Sequence, residues 1–173
     1  MALTLNGSAN TIGGLAAGGL PDATVKQADL YSDVKLGKML STPIVGTTST
    51  AYDFTSTTYT DTDLTASITP SATSSKILVL VSHGTCEKRT NNTGMALRLL
   101  RGSTEILKFA GQVGYSANTD IQSSSQSTSY LDSPATTSAT TYKTQFKSNS
   151  NNALVGLHPD NDFSTIQLLE IKG

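Results

Sequence analysis

The stretch Lys76-Ile77-Leu78-Val79-Leu80-Val81-Ser82-His83 decides the fold class of this 173-residue chain. Five consecutive apolar residues follow a Ser/Thr-rich turn at 71–75 and give way to polar residues, a pattern typical of a strand buried on both faces. We therefore expect a central β-strand here, which ends at His83.

Weaker patterns on both sides of this run also predict strands. Residues 64–68 alternate apolar and polar side chains and are followed by Pro70, which cannot donate to a ladder. Gly102-Ser103 separates two strand-like segments, 95–101 and 104–109, as a hairpin turn does. Alternation or short apolar runs predict further strands within 129–132, 140–147, 153–157 and 164–171. The fold class expected from this spacing is all-β: a jelly-roll-like β-sandwich of about eight to ten antiparallel strands.

The composition limits the classes of partner. Only 14% of the residues are charged and the net charge is −1, so no basic surface is expected for nucleic acid. No apolar stretch is long enough to insert into a membrane, and one cysteine allows no disulfide within the chain. The 22 Ser and 27 Thr residues fit a β-rich chain, because Thr is β-branched and accepts strand positions.

The N-terminal quarter differs from the rest in composition. Residues 1–24 are Gly-rich and are expected to form an extended attachment arm, because glycine makes independent folding costly. A free linker would usually carry polar residues where this arm has apolar ones, so we expect these to bind another surface. The candidate attachment residues are Leu3, Leu5, Ile12, Leu15 and Leu20. Residues 25–41 are expected to form a short helix or stalk, followed by the β-sandwich head at 42–173.

Candidate catalytic and metal residues are few. His83 and Cys86 have the spacing of two zinc ligands, but His158 is the one further His or Cys, whereas zinc sites use three or four protein ligands. Asp160 and Asp162 could offer oxygen ligands to calcium, but the calcium-loop pattern is absent and a hydrated turn is the simpler interpretation. We expect no metal, no cofactor and no enzymatic activity. The alternative is an enzyme that depolymerises surface polysaccharide.

Several segments, taken in order, resemble virion structural proteins of tailed phages, notably cyanophages. The N-terminal segments Leu3-Thr4-Leu5-Asn6-Gly7-Ser8 and Gly18-Gly19-Leu20-Pro21-Asp22 resemble their arms. Segments within the head resemble their fibre-like β-domains; these are 67–79, 97–104, 130–134, 141–146 and 165–171. The chain departs from long fibres because it has no repetitive shaft, which leaves a small fibre, a fibre tip or a decoration protein.

The resemblance implies a homotrimer with a head like that of C1q and tumour necrosis factor. The arm would attach to other phage structural proteins of the tail or baseplate, and the head would contact a host surface polysaccharide or protein. The alternative is a capsid decoration protein that stabilises the head shell; in both cases the location is the virion. Recognition usually lies on loops of a rigid scaffold, here Lys88–Gly94 and Val113–Gln126. The candidate host-contact residues are Arg89, Asn91, Tyr115 and Asn118.

Overall fold

The computed structural model describes residues 4–6, 11–13, 42–150, 152–159 and 162–171. Contacts divide the chain into two units, Met1–Leu36 and Gly37–Gly173.

The first unit contains a short antiparallel strand pair. Strands β1 (Thr4–Asn6) and β2 (Thr11–Gly13) place Leu5 opposite Ile12 in the backbone register. Two of the five candidate attachment residues thus occupy paired strands. The other three (Leu3, Leu15 and Leu20) and the helix or stalk expected at 25–41 lie outside the described residues.

The second unit has ten strands within the residues that the structure describes, and all of their pairings are antiparallel. These strands are β3 (Ile44–Thr48), β4 (Tyr52–Phe54), β5 (Thr60–Ile68), β6 (Lys76–Lys88), β7 (Thr93–Arg101), β8 (Thr104–Ser116), β9 (Gln122–Asp132), β10 (Thr140–Ser148), β11 (Val155–Leu157) and β12 (Ser164–Ile171). One sheet has the order β5-β10-β7-β8; the other has the order β3-β12-β6-β11-β4, with β9 on the opposite edge of β6. The predicted all-β sandwich is confirmed. Within the described ranges, no helix could cross a bilayer.

Strand β6 is longer than expected and is buried on one face. Ile77, Val79 and Val81 point into the sandwich and are almost completely buried, whereas Leu78 and Leu80 point outward and are half-buried. The expectation of burial on both faces is therefore wrong for this unit, because no second layer of described residues covers the outer face of this sheet. The strand also continues past His83 to Lys88.

The interior contains two apolar clusters. The larger one joins both sheets through Leu64, Ala66, Ile68, Ile77, Val79, Val81, Leu99, Tyr142, Ile166 and Leu168. The smaller one is formed by Cys86, Met95, Leu97, Val113, Phe146, Val155 and Leu157. The Phe146 ring in the smaller cluster packs at tilted angles against Tyr52 and Phe54, with centroid distances of 5.6 and 5.1 Å. Aromatic pairs favour such tilted contacts.

A chain of buried polar side chains crosses from one sheet to the other. The Thr62 and Thr144 hydroxyls are 2.6 Å apart, and Thr144 Oγ1 is 3.0 Å from His83 Nε2. Ser164 Oγ is 3.0 Å from His83 Nδ1 and 2.6 Å from His158 Nε2. All five residues are fully buried, so each hydrogen bond spares the cost of an unpaired polar group in the interior.

The donors and acceptors along this buried chain follow from the Thr50 carbonyl at its end, which can only accept. The carbonyl of Thr50 lies 2.8 Å from His158 Nδ1, which must therefore donate and leaves Nε2 as an acceptor. Ser164 donates its hydroxyl proton to that Nε2 and accepts from His83 Nδ1. His83 Nε2 then accepts the hydroxyl proton of Thr144. With neutral imidazoles, every hydrogen bond of the chain thus has one donor and one acceptor.

The buried chain predicts that acid destabilises the fold. Burial and the nearby His158 lower the pKa of His83 to about 3, whereas an unfolded His titrates near pH 6.5. Below about pH 6.5 the unfolded chain therefore takes up a proton that the folded chain does not. Lowering the pH from 7 to 5 should reduce the free energy of unfolding by about 2 kcal/mol, measured by urea denaturation.

Asp61 and Glu170 add to the loss of stability mainly at lower pH. For Asp61 and Glu170, burial raises the pKa but hydrogen bonds lower it more, so the pKa of each lies below its ordinary value of 3.8 or 4.5.

The matched control for the acid effect is His83→Gln, which removes the titrating imidazole. The loss of stability of this variant between pH 7 and 5 should be smaller than that of the wild type by about 2 kcal/mol. An equal pH dependence in the two proteins would contradict this account.

Candidate contact surface

One end of the sandwich gathers three connections, which we call the loop end. They are the turn at 89–92 between β6 and β7, the loop at 117–121 between β8 and β9, and residues 149–150 and 152–154 before β11. The Asn92 N–H donates to the Ser116 carbonyl at 2.9 Å, and the Ser150 hydroxyl donates to the Asn92 carbonyl at 2.8 Å. The structure thus brings together the two loops that the sequence singled out.

Both loops are shorter than the predicted ranges Lys88–Gly94 and Val113–Gln126. Strand β6 includes Lys88 and β7 begins at Thr93, while β8 continues to Ser116 and β9 begins at Gln122. The serine-rich start of β9 lacks an apolar pattern, but its backbone pairs with β6 whatever its side chains are. Such a strand is easily mistaken for a loop, because its side chains are mostly exposed.

A buried lysine fastens the loop end to the core strand. Lys88 is fully buried, and its Nζ donates to Ser116 Oγ at 2.6 Å and to the Asn118 carbonyl. The bond ties the last residue of β6 to the loop at 117–121. Sequence reasoning missed this role, since Lys88 opens a polar stretch; the one available signal was its position two residues after the inward-facing Cys86.

The backbone also approaches closely here. Gly114 has a φ of +67°, in the left-handed region that favours glycine, as does the hairpin residue Gly102 with a φ of +59°. A Cβ at Gly114 would lie 2.7 Å from the Gln122 carbonyl oxygen. A glycine at this position therefore lets β8 turn towards the start of β9.

At or next to the loop end, both polar and apolar side chains are exposed to solvent. Tyr115 is 54% exposed, and Asn91 and Asn118 are also exposed. Ile121, in the same loop as Asn118, is 60% exposed and was not among the predicted contact residues. An isolated isoleucine in a polar segment was the signal available for it. An aromatic side chain near the end of β8 and an aliphatic side chain in the loop that follows are the kind of residue that anchors an interface.

Arg89 has a different environment from the other predicted contact residues. Its guanidinium pairs with the carboxylates of Glu87 and Asp53, the latter at 2.7 Å. Burial and a hydrogen bond to Asp63 raise the pKa of the neighbouring Tyr52 to about 12, so its hydroxyl stays protonated. The positive charge of Arg89 is therefore neutralised by the carboxylates of Glu87 and Asp53.

A cavity of about 280 Å³ lies beside Arg89 and Tyr52. It is lined by Ala51, Tyr52, Asp53, Arg89, Leu157 and Pro159.

The residues weighed as metal ligands have other partners. His83 and His158 bond Ser164 from opposite sides, and burial raises the pKa of the Cys86 thiol to about 12. Asp162 accepts a hydrogen bond from the Thr85 N–H, and Asp160 lies outside the described residues. In the part of the chain that the structure describes, no three His, Cys, Asp or Glu side chains are grouped to hold a metal ion.

Comparisons with known proteins identify no family. No protein-family model matches the chain, and no curated protein matches it. Among solved structures, one match is the crystal structure of the infectious bursal disease virus VP2 subviral particle, with 8% sequence identity and a TM-score of 0.26. The match covers 75% of this chain and 41% of the VP2 chain. A similarity at this level does not show a shared fold or function.

The lysine contact predicts that Lys88→Met loosens the loop end. Methionine can fill the space of the lysine stem, but Ser116 Oγ and the Asn118 carbonyl lose their donor. We expect the free energy of unfolding to fall by about 1–3 kcal/mol, measured by urea denaturation, and limited proteolysis at 117–121 to become faster.

A matched control is Lys108→Met, which changes an exposed lysine on β8. This variant should differ from the wild-type stability by no more than about 0.5 kcal/mol. Equal losses in the two variants, or unchanged proteolysis in Lys88→Met, would show that the buried ammonium does not hold the loop.

Proposed function

We propose that this chain is a non-enzymatic structural protein of a bacteriophage virion, a trimeric fibre or fibre tip. The N-terminal arm attaches to the tail or baseplate, and the β-sandwich head contacts a polysaccharide or protein of the host surface. The order of segments that resemble phage structural proteins motivates the setting. The observation that supports the contact role is the loop end, where two loops meet on a rigid sandwich.

The loop end suits recognition because its loops are already ordered. Lys88 and the Asn92–Ser116 backbone bond fix two loops to the strands. Fixing loops before binding reduces the entropy lost on binding. The exposed Tyr115 and Ile121 provide apolar contact area, and the exposed Asn91 offers polar groups to hydroxyls or amides.

The location is tested by gold-labelled antibody against the head on intact particles. A fibre or fibre tip predicts label at the tail or baseplate. Label over the whole capsid would instead indicate the decoration protein, and absence of label from purified particles would contradict a virion role. New reducing ends after incubation with host envelope polysaccharide would contradict the non-enzymatic assignment.

Removal of residues 1–21 should separate attachment from folding. This deletion takes away all five candidate attachment residues: Leu3, Leu5, Ile12, Leu15 and Leu20. We expect the truncated protein to keep the β-sheet circular dichroism and oligomer mass of the full chain but to be absent from assembled particles. Aggregation or unfolding of the truncated chain would show that the arm belongs to the folding unit of the head.

Replacement of the exposed aromatic at the loop end should weaken host binding. Tyr115→Ala should reduce binding of the purified protein to host cells about tenfold or more, because truncating a hot-spot anchor typically costs about 2 kcal/mol or more. The matched control is Phe163→Ala, since Phe163 is 65% exposed but directly precedes β12, outside the loop end. Host binding that falls only in the control variant would place the contact surface elsewhere.

A further inference from the structure

The two sheets of the head present chemically different outer faces. On the sheet β5-β10-β7-β8, Lys143 pairs with Asp61 at 2.9 Å and Arg98 with Glu105 at 2.8 Å. The Arg98 guanidinium also lies over the Tyr59 ring, 3.9 Å from its centroid. Paired charges of this kind are typical of a surface that faces water.

The outer face of the other sheet lacks such charges over most of its area. In the ranges that the structure describes, the outward positions of β3, β6, β9 and β12 between Lys76 and Glu87 carry no charged side chain. Lys76 lies at one margin, and Glu87 lies at the opposite margin with its partner Arg89. We call the area between them the uncharged face.

Leucines form a row across the uncharged face. Leu131 on β9 lies opposite Leu78 on β6, and Leu78 lies opposite Leu169 on β12. Outward-facing Val45 and Leu80 belong to the next cross-strand row, where both pair with Gln167. Leu131 and Val45 are 50% and 53% exposed. The remaining outward positions are mostly Ser and Thr, with Ile171 opposite Lys76, so the two rows form an apolar band near the Lys76 margin of a neutral surface.

We propose that the uncharged face packs against the same face of further copies of this chain, at the axis of the oligomer. This assignment rests on the proposed oligomeric assembly and names the surface that forms it. A face without charges can meet its own copy without like-charge repulsion, whereas it offers nothing complementary to a charged partner. Depletion of charged residues at the centre is also what distinguishes protein interfaces from other surfaces.

The size of the face suits copies that meet at a common axis. β3, β12 and β9 contribute 5, 8 and 11 residues and β6 contributes residues 76–87, which at about 3.3 Å per residue and about 4.8 Å between strands gives about 570 Å² per copy. Three such faces around a threefold axis would bury about 1,700 Å² in total. Contact with another copy would also explain why Leu78 and Leu80 interrupt the polar outer pattern of β6, although no layer of described residues covers them.

The test replaces Leu131 by Glu in the full-length chain. Leu131 is half exposed, so the substitution should leave the head folded, with unchanged β-sheet circular dichroism. Light scattering during size exclusion should give a multiple of 18.1 kDa for the wild type and about one copy for Leu131→Glu. Val45→Glu, at a second exposed position of the same face, should have the same effect and guards against a folding defect at one site.

The matched control is Ile121→Glu, which places the same charge at an equally exposed apolar position of the loop end. It should keep the wild-type mass. A monomeric wild type, or Leu131→Glu and Val45→Glu variants that keep the wild-type mass, would overturn the proposal; so would a monomeric Ile121→Glu. The mass is measured on purified protein and does not depend on the particle. If the protein assembles through this face but the antibody labels no particle, only the proposed function is contradicted.

Discussion

The hydrogen-bonded chain from Thr62 to His158 is the constraint on which the rest of the head depends. It joins a hydroxyl of β10 to an imidazole of β6 in the interior, and so fixes the two sheets relative to each other. The polypeptide has 36% hydrophobic residues and no tryptophan, so it has few large apolar side chains for its core. Any packing that separates these groups leaves buried polar atoms unpaired, which makes alternatives to this arrangement costly.

Strand β6 connects that constraint to the contact surface. It carries His83 in the buried chain, Lys88 at the loop end and Leu78 on the uncharged face, so the core, the contact loops and the proposed oligomer surface share one continuous strand. Positions of loops fixed to such a strand vary little, which is what a recognition surface requires. The same sandwich can therefore support assembly on a flat sheet face and recognition at one end.

The sequence predicted the sandwich because period-two patterns such as 64–68 and the run at 77–81 depend on local geometry. It could not tell whether the second face of that run is covered, since covering depends on layers distant in sequence or on other copies. It also missed the strand character of the serine-rich residues 122–128 and the inward direction of Lys88. Both depend on backbone pairing and on partners that only the fold brings close. The predicted contact residues Tyr115, Asn91 and Asn118 could be chosen for exposure, but the ion pairs of Arg89 could not be foreseen.

An electron cryo-microscopy map of the purified particle, at a resolution that separates the two sheets, tests the central claim most directly. We predict oligomeric head density at the tail or baseplate, with the uncharged face at the axis and the loop end pointing away from the particle. Head density whose loop end is buried against the particle, or whose uncharged face is turned to solvent, would contradict it.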